Sequence, residues 1–304
     1  MRSEIGARSR AVPTLVDRLV RYPLGMLGMR SHFVATGIAR HHVYDTGGTG
    51  SPIACLPGLS DSAASWAPVV LALRRRGHRV LVVEGAGHGL SDEATCAYSV
   101  ETHFASVGEV LDEVLGGPAV LVGNSLGGAT ALDYAARRPV AGLFLASPGG
   151  GRMDDVSLAS IRRSFDMQSV DDARAFLGRV VARPSALHRI LACVVLASSG
   201  ARGVRDILAS LEPELVIEGI AEIDAPIHLV WGREERLLPA VCLEWMREQL
   251  PAHTIVTQPD GFGHCPHLDD PRRFARMILA FVQAIRGEPD VELGRRSASA
   301  LAPS

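Results

Sequence analysis

A serine that lies between two glycines is the residue of this 304-residue chain whose surroundings best suit chemistry. The pattern G-x-S-x-G at 123–127 follows an apolar run of strand length at 119–122, and a helix pattern begins near Ala129. Glycine leaves room for a strained backbone and for the crossing helix at such a turn, so the hydroxyl is held out above the sheet. Ser125 is therefore the candidate nucleophile. Because a small polar residue between glycines also fills ordinary tight turns, this prediction depends on partners elsewhere in the chain.

Two later segments supply what a serine nucleophile needs, which is a base and a group that orients the base. Glu234 and Glu235 follow a predicted strand at 227–231, and His264 lies in a glycine-rich loop after the last predicted strand. The order serine, acid, histidine is that of one known type of catalytic triad. We therefore expect Ser125, His264 and one of the two glutamates to meet at one edge of a sheet.

The elements that must position these side chains alternate between strands and helices. This alternation at short spacing predicts an α/β fold with a mostly parallel sheet that helices cover on both faces. In such a sheet the chemistry gathers at the carboxyl ends of the strands. Two short strands at 32–35 and 40–44 are predicted to form an antiparallel edge. The predicted buried strands cover 52–56, 79–84, 119–122, 142–146, 227–231 and 253–257, and the predicted core helices cover 68–76, 99–115, 240–250 and 271–285.

Residues 149–225 have a different character from the rest of the chain. Strand-like runs give way to apolar residues at helical spacing, which predicts three or four amphipathic helices. We interpret this segment as a helical cap, or lid, inserted into a core formed by 31–148 and 226–286. A short amphipathic helix is predicted to form an N-terminal extension over 1–30. The small and polar residues of 287–304 predict a flexible tail.

Composition and charge narrow the class of protein further. A hydrophobic share of 47% predicts a globular protein with a large core, and a net charge of −2 lacks the basic excess typical of nucleic-acid binding. The five cysteines are scattered, which favours neither a disulfide framework nor a metal site. Charged residues interrupt the N-terminal apolar stretch before it reaches the length of a signal peptide or a membrane span. We expect a cytoplasmic protein that has no integral membrane segment and binds no nucleic acid.

Four motifs occur in the order found in the α/β-hydrolase superfamily. Over about residues 34–285 the chain resembles the cap-bearing branch of this family, which includes esterases, lipases and carbon–carbon bond hydrolases. The run at 123–127 resembles the nucleophile elbow, and the run at 84–92 resembles the D-x-x-G-x-G-x-S turn. The segments 231–239 and 263–266 are similar to the acid loop and the histidine loop of the family. The resemblance implies an α/β-hydrolase fold with an inserted cap.

The resemblance also implies roles for the candidate triad. Ser125 would attack the substrate, His264 would act as base, and Glu235 would fix the imidazole. Glu235 stands where the family usually has aspartate, and its neighbour Glu234 is a competitor for the role.

The oxyanion loop departs from the family pattern at one position. Pro57-Gly58 stands where the family usually carries His-Gly. Because an oxyanion hole of this type uses backbone N–H groups, Leu59 and Leu126 can still donate them.

A serine nucleophile favours acyl transfer over the dehalogenase and epoxide hydrolase chemistry that an aspartate would suggest. The predicted function is therefore that of a carboxylesterase or lipase-like enzyme. Its substrate would be a small ester with an apolar acyl or alkyl group, and it would need no cofactor and no metal. The candidate residues of the substrate pocket are Ser60, Trp66, Met167 and Phe176.

Two other functions remain open. The runs at 123–132 and 147–150 are similar to stretches of hydrolases that cleave carbon–carbon bonds in ring-fission products. Those enzymes have a longer oxyanion loop and a tryptophan after the catalytic histidine, where this chain has 57–60 and Cys265. A non-catalytic small-molecule binding protein on the same scaffold is the third alternative.

The remaining histidines and one glutamate are interpreted as structural. His267 is predicted to be a histidine on the surface of a loop, and His88 to brace the turn after Glu84. Glu84 itself is expected to accept backbone hydrogen bonds. His41 and His42 are predicted to be an exposed pair on a strand.

Overall fold

The computed structural model describes residue 25 and residues 28–287. The predicted N-terminal helical extension at 1–30 therefore lies almost wholly outside the described residues, and the predicted tail lies outside them beyond Gly287. Within 28–287, each helix is too short or too polar to cross a membrane.

The predicted fold class is confirmed, because a mostly parallel sheet lies between two layers of helices. Eight strands form this sheet in the order β1-β2-β4-β3-β5-β6-β9-β10. β2 pairs antiparallel with β1 and with β4, and the other neighbours in the sheet are parallel. The strands of the described residues are β1 (Arg30–Ala35), β2 (Arg40–Asp45), β3 (Ile53–Leu56), β4 (Val80–Val83), β5 (Val120–Asn124), β6 (Gly142–Ala146), β7 (Gly151–Arg152), β8 (Glu214–Leu215), β9 (Ile227–Val230) and β10 (Ile255–Thr257).

The helices cover both faces of the sheet. α1 and α10 pack on one face, and α2, α3 and α8 pack on the other. The α-helices of the described residues are α1 (Ala63–Arg74), α2 (Val100–Val114), α3 (Leu126–Ala135), α4 (Asp155–Phe165), α5 (Val170–Val180), α6 (Ala186–Ser199), α7 (Arg202–Ser210), α8 (Ala240–Gln249), α9 (Pro266–Asp269) and α10 (Pro271–Arg286).

The apolar runs form central strands because helices cover both faces of the sheet, so every side chain of such a strand packs against apolar residues. In β3, Ile53 and Cys55 point to the α1 and α10 layer, whereas Ala54 and Leu56 point to the α2 and α3 layer. All four side chains are buried, as the side-chain alternation of a strand with two covered faces requires. The parallel strands thus bring the loops after β3, β5, β6, β9 and β10 to one edge of the sheet.

The first core helix begins earlier than predicted. α1 starts at Ala63 and contains Pro68 within it, whereas the proline suggested a start at residue 68. An interior proline loses its own N–H bond and crowds the carbonyl of the preceding turn, but burial of one face of this helix, including Trp66 and Val69, offsets that cost. The earlier start places Trp66 inside the helix and against the sheet.

Four helices, α4 to α7, lie between β6 and β9, and we call residues 155–210 the helical segment. The two-residue strands β7 and β8 pair antiparallel at its two ends. The segment has its own apolar cluster, which includes Ile161, Leu177 and Val180. The helical character predicted for this region is present, and its role as a cap stays a prediction.

Candidate active site

Ser125 lies at the sharp turn between β5 and α3. Its backbone has φ 53° and ψ −120°, a conformation that a residue with a side chain rarely adopts. A Cβ atom at Gly127 would clash with the carbonyl of Leu56, and one at Gly123 would clash with Gly127. The two glycines therefore allow α3 to cross the strand closely and leave Ser125 at the point of the turn, as the motif predicts.

Three serines share this strained backbone. Within residues 28–287, the non-glycine residues with positive φ are Ser60 (65°), Ser125 (53°) and Ser147 (40°). They lie in the loops after β3, β5 and β6, at the same edge of the sheet. The hydroxyl oxygen of Ser60 is also buried without a hydrogen-bond partner among the described residues. Strained backbone concentrates at functional sites, so this edge is the candidate active site.

His264 and Glu235 form a buried pair at that edge. Nδ1 of His264 lies 2.8 Å from Oε2 of Glu235, and the two side chains are 3% and 4% exposed. Oε1 of Glu235 accepts the N–H groups of Leu237 at 2.8 Å and Leu238 at 3.0 Å. The carboxylate is therefore fixed from both sides, with one oxygen held by its own loop and the other facing the imidazole.

The electrostatics of Glu235 favour its ionised form. Burial by itself raises the pKa of this carboxyl, but the charge and hydrogen bond of His264, with the N–H of Leu238, outweigh it. The pKa of Glu235 is consequently lower than that of an ordinary glutamate. A charged carboxylate at Nδ1 can hold the imidazole with its Nε2 free to take a proton.

Glu234 makes different contacts. Its two carboxylate oxygens lie 3.1 and 3.0 Å from the N–H of Gly261, so it ties the acid loop to the start of the histidine loop. Of the two glutamates that the sequence left open, Glu235 is the one that contacts His264.

Asn124 joins the serine turn to the histidine loop. This residue is buried at the end of β5, and its Nδ2 donates to the carbonyl of Ala146 at 2.9 Å and to that of His264 at 2.8 Å. The backbone of His264 is thereby fixed to the residue that precedes Ser125. Sequence analysis missed this role, although a polar side chain at the end of an otherwise apolar strand is a usable signal.

The backbone amides predicted to form an oxyanion hole belong to residues next to Gly58 and Ser125 in the chain, and the oxyanion hole itself stays a prediction. A Cβ atom at Gly58 would lie 3.2 Å from Cβ of Ser125, so the loop after β3 packs directly on the serine. Neither Leu59 nor Leu126 donates its N–H to another residue in the part of the chain that the structure describes. Leu126 is the first residue of α3, where the helix dipole favours negative charge.

Trp66 does not line a pocket, which corrects one of the pocket predictions. Its side chain is fully buried, stacks on the ring of His267 at 4.6 Å between centroids, and donates Nε1–H to Oδ2 of Asp61 at 3.1 Å. The reason is the early start of α1, which turns Trp66 toward the core.

Met167 and Phe176 lie in the helical segment. They border a cavity of about 410 Å³, whose other lining residues are Ser160, Arg163, Ser164, Asp166, Asp172, Ala175 and Arg179. Ser125, Glu235 and His264 are not among them. Both residues also belong to the apolar cluster that reaches Leu59, so their place in a substrate pocket stays a prediction.

Two predictions about histidine exposure are wrong. His267 is 1% exposed because it packs on Trp66, with Nε2 3.2 Å from Oδ2 of Asp61. His41 and His42 are fully buried, because α2 covers His41 and the loop after β4 covers His42. The described residues contain no group of three or more histidine, cysteine, aspartate or glutamate side chains arranged to hold a metal ion.

The chain belongs to the alpha/beta hydrolase family. A sequence model of this family matches residues 53–277, which include the six parallel strands β3, β4, β5, β6, β9 and β10 and the candidate active site. The membership of the α/β-hydrolase superfamily that the four motifs predicted is thereby confirmed, and the chain is assigned to the hydrolases.

The relatives of similar sequence are named for more than one activity. The chain is 28% identical over 271 residues to a 2-hydroxy-6-oxononadienedioate/2-hydroxy-6-oxononatrienedioate hydrolase of Burkholderia vietnamiensis, covering 80% of this chain and 91% of the relative. It is also 28% identical over 250 residues to a pimeloyl-[acyl-carrier protein] methyl ester esterase of Nitrosomonas europaea, covering 76% and 95%.

Among solved structures, a bacterial membrane phospholipase A superposes with a TM-score of 0.78 at 24% identity, covering 90% of this chain and 92% of that one. The carboxylesterase CesB of Bacillus subtilis superposes with a TM-score of 0.71 at 19% identity, covering 88% and 97%. These likenesses establish a shared fold.

Proposed function

We propose that this protein is a serine hydrolase that cleaves carboxylic esters through Ser125, His264 and Glu235. The observation that carries the proposal is the buried 2.8 Å contact between Nδ1 of His264 and Glu235. It is supported by the bond from Asn124 to the carbonyl of His264, which fixes this pair beside Ser125. A serine, a base and a group that orients the base are the parts that acyl transfer requires.

In the proposed mechanism, His264 accepts the Ser125 hydroxyl proton while the oxygen attacks the ester carbonyl. The negative charge that forms on the carbonyl oxygen is stabilised by the N–H groups of Leu59 and Leu126. The intermediate collapses, the proton passes from His264 to the leaving alkoxide, and an acyl group stays on Ser125. A water molecule then gives a proton to His264 while its oxygen attacks the acyl carbonyl. The bond to Ser125 breaks, His264 returns the proton to the serine oxygen, and the carboxylic acid is released. Glu235 remains ionised and stabilises the imidazolium in both half-reactions.

The substrate class follows from the apolar cluster above the site. Leu59 of the oxyanion loop and Leu237 and Leu238 of the acid loop belong to the same cluster as Phe176 and Leu196 of the helical segment. An ester with an apolar acyl or alkyl group fits such surroundings better than a charged one. In this role the helical segment acts as a cap over the site.

Hydrolysis of a carbon–carbon bond in a vinylogous diketone is the second candidate. The observation that favours it is the similarity to the Burkholderia vietnamiensis hydrolase, which extends over 80% of this chain. Esterases are related at the same 28% identity, and the short oxyanion loop at 57–60 favours the ester.

A substrate panel tests the proposal directly. We would assay nitrophenyl esters of graded acyl length beside a 2-hydroxy-6-oxo dienoate, with Ser125→Ala as the control for each. Serine-dependent turnover of the esters, with the highest kcat/KM at an apolar acyl chain, is the expected result. Turnover of the dienoate alone would favour the second candidate, and binding without turnover of either class would favour a non-catalytic protein.

A further inference from the structure

The link between α5 and α6 lies directly against the histidine loop. A Cβ atom at Gly263 would be 2.9 Å from the nitrogen of Ala182 and 3.0 Å from the carbonyl carbon of Val181, so only glycine allows this approach. On the other side of His264, the N–H of Cys265 donates to the carbonyl of Val180 at 2.8 Å. Both chain neighbours of His264 therefore touch the helical segment.

Asp269 strengthens this contact with one carboxylate. Its Oδ2 accepts the N–H of Gly263 at 2.7 Å, and its Oδ1 accepts the N–H of Ala182 at 2.6 Å. Hydrogen bonds from N–H groups to an ionised carboxylate are short and strong. One side chain thus joins the residue before His264 to the link in the helical segment.

Arg236 joins the same link to the acid loop. Its Nη2 donates to the carbonyls of Val181 and Ala182, both at 2.8 Å. Arg179, at the end of α5, donates in return to the carbonyl of Arg236 from Nε at 3.2 Å and from Nη2 at 3.0 Å. Arg236, the residue after Glu235, is therefore hydrogen-bonded to residues 180–182. Gly263, the residue before His264, is joined to the same residues through Asp269.

We propose that Asp269 and Arg236 are positioning residues that hold the His264 and Glu235 loops together through residues 180–182 of the helical segment. We call this arrangement the link clamp: 180–182, Arg236 and Asp269. This inference rests on the proposed function, and it adds that the helical segment supports the catalytic pair as well as covering the substrate. The point where the helical segment meets the two loops is consequently fixed during turnover.

The physical reason is that Glu235 and His264 are 29 residues apart and lie on loops after different strands. The strand pair β9–β10 ends at Val230 and Thr257, so it sets the distance between these loops only at their starts. The 2.8 Å contact needs both loops held to within a fraction of an ångström. The link clamp supplies bonds to each of them from one rigid backbone segment.

The test compares two neighbouring carboxylates. Asp269→Asn places an NH₂ group against one of the two N–H donors and breaks one side of the clamp. Asp270→Asn removes the same charge from the next residue, whose Oδ1 caps α10 by accepting the N–H of Arg273 at 2.9 Å. Asparagine is an equally good N-cap, so Asp270→Asn is a matched control.

For Asp269→Asn we expect kcat on the best ester to fall about ten- to a hundredfold, with KM changed less than about twofold. We expect the downfield proton resonance of the His264–Glu235 hydrogen bond, assigned by its loss in Glu235→Gln, to weaken or exchange faster. Asp270→Asn should leave both unchanged. A folded Asp269→Asn protein with the parental kcat and the parental resonance would overturn the proposal.

A second pair of variants tests the link clamp if Asp269→Asn does not fold. Arg236→Met removes the two donor bonds from an exposed position, and Arg233→Met removes an exposed arginine of the same loop that contacts Gln258 and Asp260. Only Arg236→Met should lower kcat and disturb the resonance, and equal effects of the two would refute the clamp. Because the resonance needs no substrate, its response separates this proposal from the ester assignment. A parental protein that hydrolyses no ester refutes only the latter.

Discussion

Two groups of serine, histidine and glutamate lie in this molecule, and the histidine–glutamate contact has a similar length in both. At the candidate active site, Glu235 contacts Nδ1 of His264 at 2.8 Å. At the antiparallel edge of the sheet, Glu84 contacts Nδ1 of His42 at 3.0 Å, and Nε2 of His42 lies 2.6 Å from Oγ of Ser31. Both histidine–glutamate pairs are buried. Judged by residue types and contact distances alone, the second group also has the parts of a triad.

The surroundings separate the two groups. Ser31 is an exposed residue of the edge strand β1, with no glycine-lined turn, whereas Ser125 stands at φ 53°, directly before Leu126 and packed against Gly58. Glu84 also accepts the N–H of Ala63 at 2.8 Å. Its carboxylate therefore joins β2 to the first residue of α1. A serine, a histidine and a glutamate in mutual contact therefore do not by themselves define a catalytic site. A serine at a strained turn and free N–H donors for an oxyanion are needed as well.

The second group belongs to a larger buried region that we call the histidine cluster: His41, His42, His88, His103 and Glu84. His41 contacts Ser106 at 2.5 Å and His103 contacts the hydroxyl of Tyr98 at 2.8 Å. In this cluster a histidine is a hydrogen-bonding core residue, whereas in the proposed mechanism the second nitrogen of His264 takes the proton of Ser125.

The largest expected effect comes from replacing each of the two serines by alanine in turn. Ser125→Ala should lower ester turnover by about 10⁴-fold or more, because the nucleophile is lost. Ser31→Ala should leave kcat and KM unchanged. The measurement is steady-state turnover of the best nitrophenyl ester, with circular dichroism to confirm folding. Loss of turnover in Ser31→Ala, with Ser125→Ala active, would reverse the assignment of the two groups.

The next effect concerns the two adjacent glutamates. Glu235→Gln should lower kcat by roughly 10²- to 10⁴-fold, because the amide cannot stabilise the imidazolium as a carboxylate does. Glu234→Gln should keep turnover within about threefold, since it alters only the bond to Gly261. A larger loss in Glu234→Gln would mean that this residue orients His264.

The histidine cluster should make stability depend on pH. Burial lowers the pKa of His41, His88 and His103, so these imidazoles stay neutral in the folded protein. In the unfolded chain they bind protons below about pH 6.5, and stability therefore falls as the pH drops below that value. Three such groups give a slope of at most about 4 kcal/mol per pH unit.

Urea unfolding between pH 7.5 and 5 measures this slope. His88→Gln removes one of the three titrating groups and should reduce the slope by about a third. A slope unchanged by that substitution would show that other groups cause the dependence. Carboxylates with lowered pKa, such as Asp61 and Glu235, contribute mainly below this window, because unfolded carboxylates bind protons at about pH 4.

The smallest effect is expected at Glu84. Glu84→Gln should cost about 1 to 3 kcal/mol of unfolding free energy, because one of its buried N–H partners would face an NH₂ group. The folded variant should keep the parental kcat. Chemical unfolding measures the cost, and a kcat reduced in proportion to that of Glu235→Gln would contradict the structural role.

Local sequence patterns predicted the fold closely and singled out the candidate site residues. Apolar runs of four to six residues predicted the central strands, because a strand buried on both faces needs apolar side chains at every position. The run at 123–127 predicted the turn of Ser125, since its glycines are needed wherever a helix crosses a strand so closely. The positions of Glu235 and His264 followed from the rule that loops after parallel strands share one edge.

The sequence by itself thus determined the strands, the turn and the order of serine, acid and histidine, because each of these features is marked by a short run of residues. The tertiary structure decided which glutamate faces His264, how deeply Trp66, His42 and His267 are buried, and where the helical segment contacts the acid and histidine loops. These features depend on the approach of loops that are tens of residues apart. Neighbours such as Glu234 and Glu235 look alike in sequence, and only the packing of distant loops gives them different partners.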